Sequence, residues 1–148
     1  GDQDNIEKDF FISSNDAASS SLFNFTSEVG TKGFEGRKLY MKKKITLKMF
    51  KLDTILKKNN ILSGEYNHWV VDLQGSELLF LKGAEEALES CNSISIEVST
   101  ERYYEGGVLW HELVNWLNGK NFYSTVASPE KSHTEVLFKK KNFKNINL

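Results

Sequence analysis

The chain has one cysteine and one proline, and no apolar run approaches the ~18 residues that suggest a membrane-spanning helix. A lone Cys91 excludes an internal disulfide and points to a reducing compartment, so a cytoplasmic location is expected. The opening residues, Gly1 to Lys8, are acidic and polar, unlike the basic-then-apolar layout of a secretory signal. They also lack an initiator methionine, and the chain is expected to begin inside a longer reading frame. Charge of one sign is scarce too. Nineteen Lys and Arg stand against 20 Asp and Glu, a net charge of −1, which gives no global field to attract nucleic acid or an anionic membrane.

Several chemical motifs are missing as well. His111-Glu112 opens a His-Glu-x-x-His zinc pattern, but position 115 is Asn115, and no Cys/His cluster exists elsewhere; His68 and His133 look isolated, and no metal is expected. There is no Gly-x-Ser-x-Gly elbow, which disfavours a serine hydrolase. Gly30, Gly33 and Gly36 cluster without the Gly-Lys-Ser/Thr of a phosphate-binding Walker loop. The lysine triplets at 42–44 and 139–141 have no interleaved aromatics and are expected to be solvated strand ends.

What remains is an ordinary globular balance, 39% hydrophobic and 26% charged, in 148 residues: one domain with one sizeable core. Residues 9–14 and 44–49 read as strands expected to pair antiparallel, and the Ser-, Asn- and Gly-rich stretch 15–36 as a long irregular loop. Residues 52–58 predict a short helix, with Asp53 at its start and lysines at its end. A buried strand at 68–73, a helix at 76–90, a strand at 93–99 and a helix at 108–118 follow. Strands at 122–127 and 134–139 flank a turn at 128–131, which predicts an antiparallel hairpin. The order β-α-β-α-β-β suits a mostly parallel sheet with a reversed last strand. Residues 1–50 form an added hairpin and loop, 51–140 the main sheet and 141–148 a tail.

The densest signal is Trp69 to Gly83. A strand ends on Asp72, the chain turns at Gln74-Gly75, and a helix begins near Glu77. In open α/β sheets ligands bind beyond the carboxyl ends of strands, so Asp72 lies where chemistry is usually found.

These residues resemble the FkbM-type S-adenosylmethionine-dependent methyltransferases. The resemblance rests on Leu52-Asp53, on Asp72-Leu73-Gln74-Gly75-Ser76-Glu77 with Leu81-Lys82-Gly83-Ala84, and on Ile96-Glu97-Val98. It extends to a Tyr-containing loop, a helix with Glu112 and Leu117, and the serine-rich Ser19-Ser20-Ser21-Leu22. It implies a partial class I methyltransferase (Rossmann-like) sheet in which 69–73 is the fourth strand, 93–99 the fifth and the terminal hairpin the sixth and seventh. The family's glycine-rich cofactor loop has no counterpart before Asp72, so the chain looks like the C-terminal two-thirds or so of such an enzyme. The edge of the Asp72 strand is then exposed, and self-association into a homo-oligomer is expected.

The implied activity is O-methyl transfer from S-adenosylmethionine to a hydroxyl of a sugar, glycan or natural product, though the chain alone is expected to be inactive. Asp72 and Glu97 are the catalytic candidates. Asp72 could act as a base or orient the acceptor, or simply cap the next helix; Glu97 could meet substrate, or pair with a neighbouring lysine or hydroxyl. Ser20, Ser21, Asp72, Gln74 and Gly75 are the cofactor candidates, with Gln74 and Gly75 expected to shape the turn rather than to react. Glu77, Tyr103, Tyr104 and Trp110 are the substrate candidates, against a helix-dipole role for Glu77 and core packing for Trp110. A non-catalytic α/β module binding a partner through its sheet edge or aromatic loop is the alternative; nucleic acid and membrane are not expected partners.

Overall fold

A computed structural model describes residues 1–32, 36 and 38–141. Part of the expected 15–36 loop, including Gly33, and the tail from 142 onward lie outside the described residues. Two sheets with short helices make a mixed α/β fold.

The first sheet is the expected hairpin. Strands β1 (Ile6–Ser13) and β2 (Met41–Met49) pair antiparallel from Ile6 opposite Met49 to Ser13 opposite Met41, with an irregularity after Ile12. Lys42, Lys43 and Lys44 are exposed on β2, where Lys44 meets Asp9 at 2.9 Å.

The second sheet has four strands in the order β3 (His68–Val71), β4 (Ser93–Ser99), β6 (His133–Lys140), β5 (Phe122–Ser124). The β3–β4 ladder is parallel, while β6 is antiparallel to both β4 and β5. Three strands therefore run one way and β6 against them, so only one of the ladders is parallel. The cause is the short hairpin connection, which sends β6 back between β4 and β5.

Strand β4 shows why the core sits where it does. Ile94, Ile96 and Val98 alternate with Ser93, Ser95, Glu97 and Ser99, so one face is apolar and the other polar. The apolar face meets Leu81 of α3 (Glu77–Lys82), Leu88 of α4 (Glu85–Leu88) and Leu113 and Leu117 of α5 (Trp110–Gly119), with Phe122 and Phe138 completing the core. Burying each such side chain contributes about 1.5–3 kcal/mol. Cys91 is buried in this cluster.

Two expectations need correcting. The helix over 76–90 is two helices, broken at Gly83-Ala84, where the Ala84 N–H turns back to the Leu81 carbonyl and the Gly1 backbone crosses closely over Gly83. The strand before Asp72 is also shorter and less buried than expected. It ends at Val71 and leaves Val70 71% exposed, while its open edge, with a partner on one side only among the described residues, is as expected. Its run of apolar residues mimics the signature of a strand covered on both faces.

The serine-rich segment is better organised than its composition suggests. It carries α1 (Ser27–Lys32) and two bridges, Phe11 to Ser21 and Phe25 to Tyr104. Phe25, Val29, Leu39 and Tyr104 form a second small core. These anchors are spaced irregularly, so no period announces them. They bring the segment to the carboxyl ends of β3 and β4. Of the upstream glycines, Gly30 falls within α1 and Gly36 in a turn.

Candidate functional site

The site grows from the turn after β3. The Ser76 N–H donates to the Leu73 carbonyl at 3.2 Å, and the two residues between, Gln74 and Gly75, have φ of 51° and 95°. Paired positive φ values belong to the type I′ class of turn, which suits glycine and strains glutamine. Strain held at one residue calls for a compensating contact, and Gln74 has several. Its Nε2 donates to Asp72 Oδ1 at 2.6 Å and to Glu97 Oε2 at 2.8 Å, while its Oε1 accepts from the Tyr104 hydroxyl at 2.6 Å. The neutral amide thus joins two carboxylates to a buried phenol.

Glu77 supports this turn from beneath. It is only 2% exposed, and its Oε1 accepts from the Leu73 and Gly75 N–H groups, each at 3.0 Å. Burial pushes its carboxyl above the usual range, and these N–H groups oppose that shift. Expected as a substrate contact, Glu77 is occupied in holding the backbone.

Glu97 continues the network into β6. Its Oε1 lies 2.8 Å from His133 Nε2, and the other ring nitrogen, Nδ1, lies 2.8 Å from Ser99 Oγ. The Glu97 carboxylate raises the His133 pKa above its ordinary value, against the opposing effect of burial. Burial likewise raises that of Tyr104. His133 looked isolated in the sequence. The hairpin register reveals it, because Ser99 stands opposite His133 and Glu97 is two residues along the same face of β4.

Glu97, His133, Gln74, Tyr103 and Tyr104 border a cavity of ≈ 250 Å³, with Ser19 and Phe25 on its other wall. The Tyr103 ring meets the His133 ring edge-on at 5.5 Å, and its hydroxyl lies 2.7 Å from Ser132 Oγ. Trp110 is not part of this group. It packs on Phe138 at 5.8 Å against the core.

The serines divide. Ser21 is buried and donates to the Gln74 carbonyl at 2.7 Å, which locks the turn. Ser20 accepts from the Ser13 N–H at 3.1 Å and, with Asp72, borders a second cleft of ≈ 590 Å³. Gly75 lies under Tyr104 and Gly107, and a Cβ there would sit 3.1 Å from the Tyr104 ring. Asp72 and Ser20 border this open cleft and would be the residues to meet a nucleoside cofactor there, whereas Ser21, Gln74 and Gly75 are occupied in shaping the turn. Ligand atoms of Asp72, Glu77 and Glu97 lie within 4.8 Å of one another, but each carboxylate already accepts hydrogen bonds from the protein.

A model of the methyltransferase FkbM domain matches residues 3–124. No curated protein and no solved structure matches the chain. The matched stretch takes in the Asp72 turn, Glu97 and the Tyr103-Tyr104 loop, and stops before His133.

Proposed function

The chain belongs to the FkbM methyltransferase family, and from that premise we propose that it serves O-methyl transfer from S-adenosylmethionine to a hydroxyl on a sugar, glycan or natural product. Methyl transfer is the family's activity, and its members typically use S-adenosylmethionine. The cofactor supplies an electrophilic methyl group on a sulfonium sulfur. This chain's residues supply position and polarity. The observation that carries the reading is Asp72, placed just beyond the carboxyl end of β3 and tied through Gln74 to Glu97 at the rim of the cavity. Gln74 holds both carboxylates in fixed geometry, so an acceptor hydroxyl meets prearranged hydrogen-bond acceptors; such positioning is the main catalytic resource when the protein forms no covalent bond itself.

The polar and aromatic lining suits a hydroxylated acceptor. Tyr103 and Tyr104 give it a flat apolar wall, and Glu97 and Gln74 supply the polar contacts. The Rossmann-like arrangement belongs to this reading as well. The observed order β3-β4-β6-β5 corresponds to fourth, fifth, seventh and sixth strands of such a sheet, with the β1–β2 hairpin as an addition.

The test is transfer of labelled methyl from S-adenosylmethionine to a panel of hydroxylated acceptors by the intact enzyme. Product that disappears in Asp72→Asn supports the reading; product at wild-type level in that variant refutes the role of Asp72. Calorimetric titration with S-adenosylmethionine alone is expected to show weak binding, because few residues here fit the cofactor. Tight binding would contradict that assessment.

A second reading, self-association, is favoured by a separate observation. The outer edge of β3 has no strand partner among the described residues, and Val70 beside it is exposed. Edges of this kind recruit another strand.

A further inference from the structure

We propose that His133, backed by Glu97, is the proton acceptor of this site: it takes the proton that the acceptor hydroxyl loses as its oxygen is methylated. This rests on the methyl-transfer reading and assigns a residue beyond the stretch that matches the family.

The argument starts from the two ring nitrogens. Glu97 can only accept a hydrogen bond when ionised, so the neutral imidazole carries its proton on Nε2, 2.8 Å from Glu97 Oε1. Nδ1 is then the basic nitrogen, and the Ser99 hydroxyl, 2.8 Å away, donates to it. That is the geometry of a carboxylate-oriented base, in which the acid fixes the tautomer and stabilises the imidazolium formed. His133 and Glu97 both border the cavity beside Tyr103 and Tyr104, and in this proposal a hydroxyl bound there displaces Ser99 from Nδ1.

The step balances. The acceptor oxygen forms a bond to the methyl carbon, the bond from that carbon to the donor sulfur breaks with its electron pair going to sulfur, and the hydroxyl proton passes to Nδ1. Asp72 before α3 and Glu77 on α3 reinforce Glu97 in favouring the imidazolium, and the Tyr103 ring covers its edge. Asp72, exposed beyond β3, keeps its role of orienting the acceptor.

The experiment has two readouts, resonance on the whole chain and transfer in the intact enzyme. Nuclear magnetic resonance of ring-labelled histidine, with His133 assigned through His133→Gln, is expected to show a neutral form protonated at Nε2 and a titration midpoint above that of an ordinary histidine. Glu97→Gln should lower that midpoint. Methyl transfer to a hydroxylated acceptor should rise with pH through the same midpoint and shift with it in Glu97→Gln. His133→Gln should lower kcat by about 100-fold or more with KM little changed. His133→Ala should regain rate with added imidazole, and thermal unfolding of each variant monitors its fold. His68→Gln, on the exposed end of β3, serves as the control and should transfer at the wild-type rate.

Near-wild-type kcat in His133→Gln, or a rate profile that ignores the imidazole midpoint, overturns the proposal; if Asp72→Asn is still inactive, the methyl-transfer reading survives. A neutral tautomer protonated at Nδ1 also overturns it. Absence of transfer from the intact enzyme, with acceptor and donor both supplied, overturns the reading and this inference together.

Discussion

Gln74 and Glu77 solve opposite problems within one turn. Gln74 occupies a backbone region that costs a non-glycine residue roughly 1–2 kcal/mol, offset by hydrogen bonds to Asp72, Glu97 and Tyr104. Glu77 brings a carboxylate into the interior, where it is tolerated because two backbone N–H groups face the same oxygen. Gln at position 77 keeps an oxygen able to accept both bonds and removes the buried charge. Glu77→Gln should therefore hold stability near neutral pH, while Glu77→Ala should lose about 1–3 kcal/mol in denaturant unfolding. The sign of the pH dependence follows from the raised pKa. The folded state binds the proton more tightly than the unfolded state, so Glu77 contributes stability below its ordinary value of 4.5, and that contribution is lost as pH rises through the higher folded value. Glu77→Gln should flatten this slope. Gly75→Ala meets both a positive φ and the Tyr104 ring, and should destabilise by more than 1 kcal/mol or so while weakening the Tyr104 to Gln74 contact.

At the scale of elements, short helices are stable here because their ends are capped from elsewhere. The α4 N-terminus receives Asp53 of α2 (Leu52–Lys58), whose carboxylate accepts from the Glu86 and Ala87 N–H groups at 3.0 and 2.9 Å. Beyond its C-terminus, the Lys140 amino group of β6 donates to the Leu88 and Glu89 carbonyls. A four-residue helix has no independent stability, and these contacts supply part of what it lacks. Asp53→Asn should be mild and Asp53→Ala should cost about 1 kcal/mol, read from the midpoint of urea unfolding. The sequence suggested Asp53 for the start of its own helix, α2; its second function at α4 depends on how the two helices dock. Strand β4, by contrast, was legible in full from its alternation, and so was the antiparallel sense of both hairpins. The break at Gly83 was not, since Leu78, Leu81, Ala84 and Leu88 keep a helical spacing across it.

Across the whole molecule, two cores divide the work. The larger binds α3, α4 and α5 to one face of the second sheet; the smaller, around Phe25, Val29, Leu39 and Tyr104, folds the serine-rich segment over the strand ends and closes one wall of the cavity. The β3 edge, without a strand partner among the described residues, belongs to this scale too. Sedimentation velocity should show association that grows with concentration, and Val70→Lys should shift the chain toward monomer by placing charge on that edge. A monomer at every concentration would refute the self-association reading. No helix among the described residues is long and apolar enough to cross a membrane.

The sequence alone determined what local chemistry dictates: which segments alternate, where the turn after Asp72 falls, and the motif that marks the family. Only the tertiary structure decided that Gln74 clasps Asp72 and Glu97, that Ser21 locks the turn, and that His133 joins Glu97 across a strand ladder. The reason is separation along the chain. Periodicity reports on neighbours a few residues apart, whereas Glu97 and His133 meet only because β6 returns between β4 and β5 in one particular register.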